Sequence, residues 1–311
     1  MENFVIEASP HIKSGANTRK IMLSVLLALL PATAAGAVIF GPRALILVAV
    51  CAVTSVLSEY VFELITKKEN TVGDLSAAVT GVLLGLNLPP SLPIYMAVIG
   101  SAAAVVVVKQ FFGGLGQNFA NPAITARIIL MLSFGKYMTT WTAPFAYLDG
   151  TDAVSCATVL SSPEEMPSYL DLFLGNRAGC IGETCTAALL AGGVFLCLIK
   201  AIDPLPPIVF IGTAALCSLA AGRDVLTDIM SGGLILGTFF MATDYATTPI
   251  TVTGRVIFSL GCGLITSAVR LFGVYPEGVS YSILLMNILT PLIDRYIMPV
   301  PFGTKKGAAK R

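Results

Sequence analysis

The chain has 311 residues, 55% of them hydrophobic and only 12% charged, with a formal net charge of +1. Soluble domains carry about a quarter charged residues, so a water-facing surface for a protein of this size cannot be assembled, and the absence of a basic stripe argues against a nucleic-acid partner. The 29 glycines suit close helix packing in lipid, where small residues let backbones approach. The composition is that of an all-α integral membrane protein surrounded by lipid.

In chain order, a polar lead over residues 1–20, with the lone histidine His11, comes before the first apolar run. That run starts at Ile21 and flows into a multi-span pattern, so no cleavable signal peptide is expected. A bilayer core takes about 20 apolar residues per helix. Runs that fit lie at 21–40, 44–65, 94–108, 184–199, 207–221, 256–273 and 279–293. Three more are shorter or interrupted: 74–88, stopped by Pro89-Pro90; 121–135, opened by Asn121-Pro122; and 229–243, ending before "TDYATTP". The expectation is a single polytopic domain over 1–311 with about ten spans. Broken spans cannot face lipid at their broken ends and should line a protected interior.

Lys and Arg set the orientation. Lys13, Arg19, Lys20, Lys67, Lys68, Lys109, Arg127, Lys200, Arg255, Arg295, Lys305, Lys306, Lys310 and Arg311 fall on or near the side of the N terminus. Arg43, Lys136, Arg177, Arg223 and Arg270 fall on the other. The positive-inside bias predicts both termini in the cytoplasm and the loop 136–183 outside. A faint echo between "DLSAAVTGVLLGLNLPP" (74–90) and "DIMSGGLILGTFFMATDYATTP" (228–249) hints at two five-span halves of opposite sense, an inverted repeat that would place ligands between broken helices.

Of the seven cysteines, Cys51, Cys197, Cys217 and Cys262 lie in apolar runs and read as small buried hydrophobes. Cys180 and Cys185 lie outside them, open to a disulfide or a ligand pair. No pair has zinc-ribbon spacing, and no metal site is expected.

The loop 136–183 holds "TDAVSCAT" (151–158), an acid followed by two hydroxyls. Such a string is compatible with an ordinary Asx or Ser/Thr turn, but it is placed where an external enzyme could reach it. It resembles the flavin-transferase acceptor D-x-x-[S/T]-G-A-T, with Asp152, Ser155, Ala157 and Thr158 matching and Cys156 in place of glycine. The segments "SPH" (9–11), "GGLGQNFANPA" (113–123), "IGET" (181–184), "FFMATDYATTPIT" (239–251) and "YPEGVSYSILLMN" (275–287) resemble, in order, the RnfD/NqrB family of membrane flavoproteins, from Ser9 to about Arg295.

That resemblance implies a bacterial or archaeal cell-membrane component of a redox-driven ion translocase. The short lead places it nearer the Rnf complex (ferredoxin:NAD⁺ oxidoreductase) branch than the NqrB branch of sodium-pumping NADH:quinone oxidoreductase. It implies FMN joined to Thr158 through a phosphoester, a flavin transferase for maturation, and the membrane iron–sulfur and flavin subunits of the complex as partners. It also implies a second, non-covalent flavin, riboflavin, near Asn118 and Asn121, amides that enter a short span where unsatisfied polar groups are costly. The rival reading, from architecture alone, is a channel or small-solute transporter, since fold does not dictate function. Among intramembrane acids, Glu59 and Glu63 share a helix face and are functional candidates by default, while Asp74, Asp228 and Asp244 sit at the ends of short spans, where Asp74 and Asp244 read equally as helix-end groups.

Overall fold

A computed structural model of the chain describes residues 17–148, 155–156, 167–273 and 277–297. Helix α1 (Thr18–Phe40) and α2 (Pro42–Thr66) are separated by Gly41, whose φ of 81° is open to glycine, and Pro42 starts α2 at a position where a missing N–H costs nothing. Helix α3 (Ser76–Leu86) ends at Asn87, before the Pro89-Pro90 stop. Helix α4 (Ile94–Ala103) runs on through a π-helical turn, Ala104–Lys109, and a 3₁₀ turn, Gln110–Phe112. Helix α5 (Pro122–Ser133) has Asn121 as its N-cap, whose side chain accepts from the Ala123 and Ile124 amides.

Between α5 and the next long helix come α6 (Gly135–Met138), a two-residue antiparallel pair of β1 (Trp141–Thr142) with β2 (Ser155–Cys156), and α7 (Tyr169–Leu174). Helix α8 (Thr186–Leu198) and α9 (Leu205–Ala220) follow. The third interrupted run divides into α10 (Val225–Met230), α11 (Leu234–Leu236) and a π turn at Gly237–Met241. Helix α12 (Val252–Phe272) and α13 (Val279–Tyr296) complete the bundle.

Helical backbone therefore occupies each of the expected apolar runs. Four segments, Thr18–Phe40, Pro42–Thr66, Ile94–Phe112 and Val252–Phe272, are long and apolar enough to cross a membrane, and Ser76–Leu86, Pro122–Ser133, Thr186–Leu198 and Leu205–Ala220 are shorter apolar helices. The two echoing segments fold differently: α3 is continuous, whereas its counterpart is interrupted after Met230 and ends in the π turn. Large apolar side chains such as Leu30, Val38, Ile65, Leu132 and Leu216 are exposed on the bundle, as a lipid-facing surface requires.

Helices α2 and α3 pack backbone to backbone. A Cβ at Gly81 would lie 2.6 Å from Ala52 Cα, and one at Gly85 would lie 2.8 Å from Val48 Cα. Backbones this close leave no room for a methyl group. Gly81→Ala is expected to cost about 1–3 kcal/mol through overpacking, measured as a lowered melting temperature of the purified chain in detergent. Gly73→Ala, where a Cβ meets nothing within 4 Å, should leave the melting temperature unchanged.

Candidate functional site

The breaks in the short helices converge inside the bundle, and buried arginines meet them. The stretch 180–185 lies along the end of α3, with the Ile181 amide donating to the Leu88 carbonyl at 3.1 Å and the Gly182 amide to the Leu86 carbonyl at 2.8 Å. Arg127, from the middle of α5, donates through Nη1 to Asn87 Oδ1 and Glu183 Oε1, both at 2.8 Å, and to Ser280 Oγ at 3.2 Å. Its Nη2 reaches Cys180 Sγ at 3.4 Å and forms an ion pair with Glu277. Arg177 donates to the Glu183 carbonyl at 2.6 Å, and Arg270 donates to the carbonyls of Asp228 at 2.5 Å and Ser231 at 2.9 Å, where α10 ends. Burial pushes the Glu277 carboxyl up against the pull of the Arg127 guanidinium.

Cys180 and Cys185 are free thiols. Cys180, Glu183 and Glu277 bring three ligand atoms within 4.8 Å of one another. The Arg127 guanidinium contacts all three residues and already supplies the positive charge that a metal ion would bring, so this cluster reads as an arginine socket.

A second buried cluster forms where α2, α3 and the π turn after α4 meet. Lys109 Nζ lies 2.5 Å from Glu59 Oε1 and 2.5 Å from Ser76 Oγ, and Gln110 Nε2 donates to the same Glu59 oxygen at 2.7 Å. Glu59 Oε2 has no partner among the described residues. Glu63, one turn on, accepts from the Thr71 amide and hydroxyl.

Lys109 and Ser76 also line a cavity of about 90 Å³. Its apolar walls include Val79, Leu83, Phe239 and Phe240, and its polar lining includes Thr80, Asn118, Asn121 and Asp244. An adjoining groove shares Ile21, Met22, Leu115, Asp244, Tyr245 and Ala246 and extends past Thr18, Thr290 and Asp294. The mouth thus lies at the end of the bundle where α1 begins and α13 ends.

Asn118 and Asn121, singled out from sequence, are brought together on this cavity, and both are buried. Among the described residues Asn118 has one hydrogen bond, from Nδ2 to the Ala120 carbonyl at 3.0 Å, which leaves its Oδ1 for the cavity. Asn121 is committed to structure: Oδ1 caps α5, and Nδ2 reaches the Met241 carbonyl at 3.4 Å. Turning the Asn287 amide to suit its neighbours lets it accept from the Asn121 amide at 3.1 Å and donate to the Thr247 carbonyl at 3.3 Å. Asp152, Ala157 and Thr158 lie outside the described residues, as does His11; the Ser155 backbone pairs with Thr142 in the two-stranded ladder.

Asp74 is a helix-end group that accepts from the Ser76 amide and hydroxyl, and Asp244 accepts from the Ala246 amide and Thr247 hydroxyl in the turn after the π segment. Asp228 is buried against Ser218 and Arg223.

Sequence reasoning missed the principal cations. It groups Lys109 and Arg127 with the loop charges on the N-terminal side, and Arg177 and Arg270 with those opposite. All four are buried at 8% exposure or less and bonded inside the bundle, so none of them reports on orientation. The available signal was a base within an apolar run, which needs an acid or a carbonyl as partner.

Removing Arg127 leaves Glu183 and Glu277 facing each other without the guanidinium that pairs with both. Arg127→Ala is expected to cost about 3–5 kcal/mol, read as thermal stability in detergent. Arg127→Met combined with Glu183→Gln and Glu277→Gln should recover part of that loss, because the three groups of the ion-pair cluster are then all neutral.

A model of the NQR2, RnfD, RnfE family matches residues 5–303. The chain is 47% identical over 311 residues to the D subunit of the Na⁺-translocating ferredoxin:NAD⁺ oxidoreductase complex of Acetobacterium woodii, covering 98% of this chain and 96% of that one. It is 44% identical over 323 residues to the D subunit of the proton-translocating ferredoxin:NAD⁺ oxidoreductase complex of Clostridium ljungdahlii, covering 97% of each. It is 35% identical over 351 residues to the D subunit of an ion-translocating oxidoreductase complex of Escherichia coli, covering 98% of this chain and 99% of that one. With the match running nearly end to end, the chain belongs to the NQR2, RnfD, RnfE family.

Proposed function

We propose that the chain is the D subunit of an Rnf-type complex, a multi-pass cell-membrane component of an ion-translocating ferredoxin:NAD⁺ oxidoreductase that works beside the other subunits of that complex. The observation that carries this is the end-to-end likeness to the D subunits of two ferredoxin:NAD⁺ oxidoreductases. Those two relatives name different ions at nearly equal identity, so overall likeness does not encode the choice between sodium and protons.

Within this reading the chain crosses the membrane about ten times, as two five-span halves, with both termini cytoplasmic and the loop 136–183 outside. Thr158 carries FMN through a phosphoester attached by a flavin transferase, with Asp152 and Ser155 serving recognition by the transferase or support of the acceptor segment. In support, the β1–β2 ladder ties Ser155 and Cys156 to Trp141 and Thr142, which anchors the chain two residues before the acceptor.

The second flavin is assigned to this cavity together with the adjoining groove of about 700 Å³. Phe239, Phe240, Val79 and Leu83 offer apolar walls for a ring system, and the Asn118 Oδ1 accepts a hydrogen bond from a ring N–H. Asn121 acts indirectly: by capping α5 and holding the Met241 carbonyl it keeps the cavity wall in place. A flavin bound here supplies one-electron transfer, and the protein's part is placement and tuning. A bilayer core is about 30 Å thick, so electrons passing between its faces need such an intermediate site.

Two outcomes follow. The intact mass of the chain co-expressed with a flavin transferase should exceed that of the bare chain by one FMN residue, and Thr158→Ala should remove the increment while leaving folding intact; a native mass equal to the bare chain contradicts the acceptor. Acid extraction of the FMN-loaded chain should release riboflavin, and Asn118→Ala should lower the amount several-fold; no riboflavin from the folded wild-type chain contradicts the cavity assignment.

A further inference from the structure

The buried Lys109–Glu59 pair lies where α2 meets the π turn after α4. A lysine that merely neutralised Glu59 would be a poor structural device, because a buried ion pair seldom stabilises more than apolar residues of similar size. Here one Glu59 oxygen is left without a partner among the described residues, which makes it poorer still.

The geometry around Lys109 suggests a different use. An ammonium has three N–H groups. Among the described residues two of them are taken by Glu59 Oε1 and Ser76 Oγ, both at 2.5 Å, while the side chain lines the cavity. Lys109 closes a π-helical turn, an irregularity found mostly at functional sites. The carboxylate on the same cavity wall, Asp244, also lines the outer groove, and its oxygens accept from Ala246 and Thr247. The cavity thus has the Glu59-paired Lys109 ammonium on its wall and an acid, Asp244, where it meets the groove.

We propose that Lys109, with its charge set by Glu59, raises the reduction potential of the flavin ring held in this cavity. This rests on the cavity assignment made under the proposed function. Electrons arriving at a flavin add negative charge to the ring, and a fixed cation on the cavity wall favours that reduced form over the oxidised one. Glu59, bonded to the same ammonium, offsets part of the cation's field.

The test uses the full-length chain carrying Thr158→Ala, so that bound riboflavin is the remaining flavin, titrated redox-wise and followed by flavin absorbance. Lys109→Arg, which keeps the charge, should hold the parent potential. Lys109→Gln combined with Glu59→Gln, which leaves no unpaired buried charge, should move it to a more negative value. The reduced form should lose at least tenfold in relative stability, which is about 30 mV for a two-electron couple. Glu59→Gln alone should move it the other way, a sign that a purely structural pair would not produce. Unchanged potentials in these variants, or shifts of the opposite sign, with riboflavin still bound, overturn the proposal. Absence of riboflavin from the parent overturns the cavity assignment instead, so the two failures are distinguishable.

Discussion

The constraint on which this fold depends is that broken helix ends inside an apolar bundle have no water to bond. Each unsatisfied amide or carbonyl there costs several kcal/mol. The chain meets the constraint by bringing its breaks together and filling them with arginine. The 180–185 stretch bonds to the end of α3, Arg177 takes the Glu183 carbonyl, and Arg270 takes the carbonyls where α10 ends. Arg127 joins Asn87 at the end of α3 to Glu183 before α8 and Glu277 before α13. A planar guanidinium suits this because it offers five donors in a fixed fork and stays charged when buried.

Once the breaks are gathered, the cavity follows from them. Short helices leave space that full-length spans would fill. The walls come from α3, the Asn121 cap of α5, the π turn at Gly237–Met241 and the first turns of α1. Close α2–α3 packing through Gly81 and Gly85 holds Glu59 against the start of α3, where Ser76 and Lys109 meet it. Arginine network and cavity thus belong to one arrangement, in which the first stiffens the frame around the second.

Much of this was legible in the residues. The length of the apolar runs located the helices, Pro89-Pro90 and Asn121-Pro122 located two of the breaks, and the cost of a buried amide pointed to Asn118 and Asn121. The division of labour between those amides was not legible: Asn121 is spent on a helix cap, and only Asn118 leaves an oxygen for the cavity. The pairing of Arg127 with Glu183 and Glu277, and of Lys109 with Glu59, joins residues 50 to 150 positions apart. No local pattern encodes such contacts. Treating every Lys and Arg as a loop charge hid them, because hydropathy windows average one base into an apolar run. Glu59 stands out in the sequence as an intramembrane acid, and the rule that such an acid needs a partner was the route to Lys109.

The account is tested most directly by an experimental density map of the complex containing this chain. It predicts planar three-ring density in the cavity, with one edge toward Lys109 and the ring against Phe239 and Phe240, and a second flavin attached at Thr158. A cavity filled by acyl-chain density or closed by its own side chains, with Thr158 unmodified, would contradict it.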